Sequence, residues 1–241
     1  MTIEFTGTAR RLGIGSAIAV VALEAAYAVT LVIGLASLES PQQPIGEPMF
    51  SILEVLIILM TPALVALMVA VHAWAPPHAR TLSLTALVFM GLLAGLTATL
   101  HFVILTLSRQ PEFARLELLP LFLSFEWPSL AYALDILAWD VFFAVSLLFA
   151  APVFSGSRLA AWIRVSMTAS AVLALAGLSG VAAGDMRLRN IGIVGYVPVF
   201  LVVAVLLAVL FFRTAPRPAA GLSPRREPGE PANRTTTRSP R

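Results

Sequence analysis

Six long apolar runs, separated by short polar stretches, fill most of residues 13–212. They cover about 13–35, 52–74, 82–107, 128–151, 165–183 and 191–212. A helix crossing a bilayer needs about 20 predominantly apolar residues, so each run is long enough to cross once. Polar punctuation lies between them. Residues 36–51 carry Pro41, Pro44 and Pro48, which oppose a helix. Residues 75–81 read APPHART and residues 184–190 read GDMRLRN. Residues 156–164 are polar, with Arg158 and Arg164 flanking Trp162, and residues 108–125 mix charge with apolar side chains and suit a short interfacial helix. The pattern predicts an all-α, polytopic integral membrane protein: a six-transmembrane-helix bundle over residues 1–213. The Pro/Arg/Thr-rich remainder, 214–241, is expected to be a disordered tail.

Local signals refine the runs. Pro128 suits the first turn of a helix. Pro62, near the middle of the second run, frees a carbonyl that another helix, Thr61 or water must satisfy. Gly91 and Gly95 form a GxxxG, which predicts a close-packing face on the third run. The fifth run is rich in Ser, Thr, Ala and Gly, as in a helix packed tightly within a bundle.

Composition agrees with the pattern. The 241 residues are 59% hydrophobic and 12% charged, with mean hydropathy +0.89. A soluble domain carries about 25% charged residues, so no separate soluble domain is expected. The chain lacks cysteine, which excludes disulfides, iron–sulfur clusters and thiolate chemistry. It also lacks lysine, which excludes a Schiff-base cofactor and a P-loop. Arginine without lysine, with abundant alanine, hints at a GC-rich bacterial genome.

The net charge of +3 conceals an asymmetry. The segment from Arg213 holds seven arginines and two glutamates, giving +5 and leaving −2 for the rest. Six spans put both termini on one side. Arg10, Arg11, Arg80, Arg158, Arg164, Arg213 and Arg217 fall on that side, against Arg109, Arg115, Arg187 and Arg189 on the other. Positive residues favour the cytoplasm, so both termini and the tail are expected there, in a plasma-membrane protein. The expected partners are the lipid bilayer and anionic head groups near the tail. Nucleic acid is not expected.

The chemistry lies inside the apolar runs, where a charged side chain is costly and marks a functional site by default. The fourth run carries Asp135 and Asp140. If hydrocarbon begins near Pro128, they lie about 10 Å and about 18 Å deep. At 100° per residue, Tyr132, Asp135, Trp139 and Ser146 share one face, and Asp140 stands off it, facing a different neighbour. Glu24 lies near the middle of the first run, with Tyr27 one turn further on the same face. Glu54 opens the second, where a first-turn acid would also suit the helix dipole. His101 is the one histidine well inside an apolar run; His72 and His78 fall near the ends. Together Glu54, His101, Asp135, Asp140, Glu24, Tyr132 and Trp139 predict a pocket that opens outward and deepens to the middle, with no buried base. Asp135 and His101 are expected within one hydrogen bond or one bridging water, with Glu54 as third member.

Carboxylates stepped in depth suit a small ligand, cation or proton to be bound or transported. An intramembrane enzyme using His/carboxylate acid–base chemistry is the alternative. A structural or assembly subunit, with the acids joining helices, is a third. No spacing suits a metal, and no cofactor is expected.

Overall fold

The computed structural model describes residues 5–40 and 43–216. The tail predicted to be disordered lies outside the described residues from 217 onward. Among the described residues the chain is all-helical, without a strand, and six helices are long and apolar enough to cross a membrane. They are α1 (Gly7–Ala36), α2 (Met49–Trp74), α3 (Arg80–Thr106), α4 (Leu130–Val153), α5 (Arg158–Ala183) and α6 (Asn190–Arg213). Two short helices, Pro111–Ala114 and Leu119–Leu123, fill the connection between α3 and α4.

The helices extend past the apolar runs where polar residues cap them. Thr6 accepts from the Ala9 amide, so α1 starts before Arg10 and Arg11. Ser157 accepts from the Ala160 amide, so the stretch with Arg158, Trp162 and Arg164 is the first two turns of α5, not a loop. Ser129 caps α4 in the same way, which leaves Pro128 just outside the helix, after a cis peptide bond, rather than in its first turn. Hydropathy marks where a helix becomes apolar, whereas a side-chain acceptor for the orphan amides marks where it begins.

Each long helix packs against its neighbours in sequence, and α6 closes the ring against α1. Arg10 fastens that closure. Its Nε and Nη2 donate to the Phe211 and Phe212 carbonyls, 3.1 and 2.8 Å away, at the end of α6 where carbonyls lack helical partners. Both described ends of the chain therefore meet at one end of the bundle. There the core is apolar and filled, with Leu64, Leu67, Met68, Met90, Leu93, Leu147 and Phe211 fully buried. Pro62 sits inside α2 without ending it. It cannot donate to the Ile58 carbonyl four residues back, and the Thr61 hydroxyl donates there instead at 2.8 Å.

The glycine expectation is reversed. Gly91 and Gly95 are exposed, and a side-chain carbon at either would meet nothing within 4 Å. The close approaches are made by glycines of α5 and α6. A Cβ on Gly195 would fall 2.7 Å from the Ser170 carbonyl oxygen, and one on Gly192 would touch the Asp140 carboxylate.

Candidate functional site

The end of the bundle away from the described termini holds a cavity of about 340 Å³. Its mouth is formed by the α1–α2 connection, with Gln43, Pro44 and Ile45, and by Phe50 and Phe125; its floor reaches Met60, Trp139, Tyr196 and Val197. An exposed cluster secures one edge. Ser51 Oγ and Arg109 Nη2 each lie 2.5 Å from a Glu47 carboxylate oxygen, tying the start of α2 to the end of α3. The Ser51 hydrogen bond, and then Arg109, hold the Glu47 carboxyl below its ordinary range.

One wall carries a connected polar network. His101 Nδ1 stands 2.8 Å from Glu54 Oε2. Its other nitrogen, Nε2, is 3.6 Å from Asp135 Oδ1, an ion-pair distance but long for a hydrogen bond. The second Asp135 oxygen accepts from Arg189 Nη2 at 2.7 Å. Arg189 Nε donates to Asp140 Oδ2 at 3.3 Å, and Nη1 to the Tyr132 hydroxyl at 3.2 Å. The same guanidinium lies over the Tyr132 ring, 4.5 Å from its centroid. Phe125 covers the network from the mouth, stacked on His101 with ring centroids 5.2 Å apart. Glu54, His101, Asp135, Asp140 and Arg189 are all nearly or fully buried.

Of the sequence-predicted residues, the cavity wall holds Glu54, His101, Asp135, Glu24, Tyr132 and Trp139. Glu54 lies in the second turn of α2, because the helix starts at Met49, so it is not the first-turn acid that a helix dipole favours. Asp140 is placed differently. It is absent from the wall and stands behind Arg189, with Oδ1 close against Gly177 and Gly192. Ser146 is lower still and donates to the Ala86 carbonyl. His72 pairs with Ser83 at 2.8 Å and His78 is exposed, so neither reaches the site. Among the described residues no three His, Asp or Glu side chains are grouped to hold a metal.

The expectation of a pocket without a buried base is wrong. Arg189, read as an outer-loop residue, is 5% exposed and pairs with two carboxylates. The turn before α6 delivers it. Gly184, at φ 68°, ends the preceding helix, and Asp185 Oδ1 accepts from the Arg187 amide. Gly180 lets the turn fold back, since a Cβ there would lie 2.8 Å from the Arg189 amide nitrogen. Burial works against the guanidinium charge; the negative groups around it, Asp135 and Asp140 among them, more than offset that and raise its affinity for its proton. The sequence held one signal: several acids in apolar runs faced a single histidine, and only an arginine near a helix end could answer them.

Two π-helical segments flank the floor, at Leu137–Phe143 and Gly195–Val199. The second contains Pro198, which cannot donate to the carbonyl four residues back, and the widened turn accommodates it. Trp139 and Tyr196, one on each segment, meet with ring centroids 5.3 Å apart. Three buried polar atoms on the wall make no hydrogen bond among the described residues: Glu24 Oε2, His101 Nε2 and Trp139 Nε1.

The site can bind a small molecule of mixed polarity, hold a positive charge against its acids, or pass a proton between His101 and its two carboxylates. No family model matches the chain, and neither a curated protein nor a solved structure matches it.

Proposed function

We propose that this chain is a multi-pass membrane protein, a six-helix transmembrane bundle that binds a small ligand or ion from the side opposite its termini. One observation carries the reading. Residues from α2, α3, α4 and the turn before α6 converge as a single hydrogen-bonded and ion-paired network on the wall of a 340 Å³ cavity. Such a volume lies near the lower end of ligand pockets, about 300–1,000 Å³. Buried charges are expensive in an apolar bundle, and acids serving only to join helices would have no need of a cavity. The packed opposite half closes the pocket from below, so access is from one side; transport would require that half to open.

The orientation reading gains support from Arg189. Once it is counted as a buried site residue, the outer side retains Arg109, Arg115 and Arg187 near helix ends, and the bias toward cytoplasmic termini sharpens.

A second reading, acid–base catalysis, is favoured by the state of His101. Glu54 fixes one ring nitrogen, and the other makes no hydrogen bond, an arrangement that orients an imidazole for proton transfer.

Native mass spectrometry of the protein released from its own membranes tests the binding reading. A small molecule is expected to accompany the native chain and to be lost from Ile57→Trp, which fills the cavity. A native chain that carries nothing, and whose thermal unfolding no member of a small-molecule panel shifts, refutes it.

A further inference from the structure

We propose that the ligand is a small amine with an apolar body, and that Glu24 is the counter-ion of its ammonium group. The inference rests on the pocket reading above and names its ligand class.

The acids of this site differ in what occupies them. Glu54 Oε2 faces His101, and Asp135 lies between His101 and Arg189. Asp140 pairs with Arg189 through one oxygen and has the other closed in by Gly177 and Gly192. Glu24 alone among these four has no protein cation. It is 2% exposed, lines the cavity, and its Oε2 accepts no hydrogen bond among the described residues. A carboxylate so placed is costly as a lone anion and is matched by a donor bearing positive charge.

The surroundings of Glu24 specify the kind of cation. A hard metal ion requires about six or more oxygen ligands, and no three His, Asp or Glu side chains among the described residues are grouped to hold a metal. The cavity that Glu24 lines has Leu31, Leu53, Ile57, Met60 and Ile193 in its walls. These side chains suit hydrocarbon. Tyr27 and Tyr196 also line the cavity, and an aromatic ring attracts an ammonium group within about 6 Å of its face. The volume admits a compact molecule, not a lipid chain of full length. An N–H-bearing ammonium pairs with the Glu24 carboxylate where Glu24 lines the cavity, and its apolar body fills the aliphatic wall.

The probes are n-hexylamine and 1-hexanol, which share a chain and differ in charge. Binding is measured on the full chain in lipid nanodiscs at neutral pH, by intrinsic fluorescence, to which Trp139 in the wall contributes, and by thermal shift, with empty nanodiscs as baseline. The native chain is expected to bind the amine at least tenfold more tightly than the alcohol. Glu24→Gln, nearly isosteric, is expected to remove that preference. Equal affinities on the native chain, a comparison that needs no variant, overturn the amine assignment and leave the pocket reading standing. A preference that survives Glu24→Gln overturns the role of Glu24. Binding of neither probe overturns the amine assignment, while the pocket reading stands or falls by the mass spectrometry of the native chain.

Discussion

Asp135 and Asp140 share one guanidinium although they stand five residues apart on the same helix. Arg189 Nη2 reaches Asp135 at 2.7 Å and Nε reaches Asp140 at 3.3 Å. In a regular α-helix five residues turn the chain by about 140° beyond a full circle, which would point the two acids apart. Asp135 stands in the regular turns of Leu130–Ile136, and Asp140 lies in the π-helical segment that begins at Leu137, whose wider turns, closed between residues i and i+5, narrow the angle between them.

Removing the shared cation should be the most damaging change in the site. Arg189→Met leaves two buried carboxylates without their partner, at a cost of about 3–5 kcal/mol. Asp140→Asn, which keeps a hydrogen-bonding group, is expected to cost less. Thermal unfolding of the two variants in detergent checks the ranking, and a milder loss for Arg189→Met contradicts it.

Two glycine substitutions should behave in opposite ways. Gly192→Ala drives a methyl group into the Asp140 carboxylate and tightly against the Tyr196 ring, costing about 1–3 kcal/mol. Gly91→Ala meets open space and is expected to be neutral or to stabilise by up to about 1 kcal/mol through helix propensity. Equal unfolding temperatures for the two variants would refute the packing described for α5 and α6.

Thr61→Val retains shape and removes the donor to the Ile58 carbonyl that Pro62 leaves free. A loss of about 1–2 kcal/mol is expected. The double change with Pro62→Ala, which restores the amide, should recover most of it in the same unfolding assay.

Acidification should loosen the edge of the cavity mouth. The Glu47 carboxyl is held below its ordinary value by Ser51 and Arg109, so its contribution is complete above the unfolded-state value of about 4.3 and is lost as pH falls through the lower folded value. Glu47 is more than half exposed, so the effect is expected to stay below about 1 kcal/mol. A Glu47→Gln chain that unfolds with the same pH dependence below pH 5 as the native chain would remove this assignment.

Topology follows from the proposed orientation. Reporter fusions after Arg80, Arg164 and Arg213 are expected to read cytoplasmic, and fusions after Pro44, Glu117 and Asp185 external. An external signal from the fusion after Arg213 contradicts the six-span arrangement with cytoplasmic termini.

The sequence by itself determined the six long helices, because each apolar run is a local property and a helix satisfies its own backbone. It also marked the carbonyl that Pro62 leaves free, with Thr61, another helix or water to satisfy it, and the structure selects Thr61. The wall residues Glu54, His101 and Asp135 were legible because a polar side chain inside an apolar run stands out whatever its neighbours. Tertiary structure alone decided the rest. Hydropathy assigned Arg189 to a loop, and only the fold of the turn against Gly180 carries its side chain inward. A uniform 100° turn put Asp140 off the face of Asp135, and it is indeed absent from the cavity wall, but only the fold brings Arg189 within reach of both acids. The spacing of Gly91 and Gly95 resembled a packing face, but which faces meet depends on how six helices close into a ring, and that closure buried Gly177 and Gly192 instead. Periodicity along one helix fixes which residues share a face; it carries no information about what that face will meet.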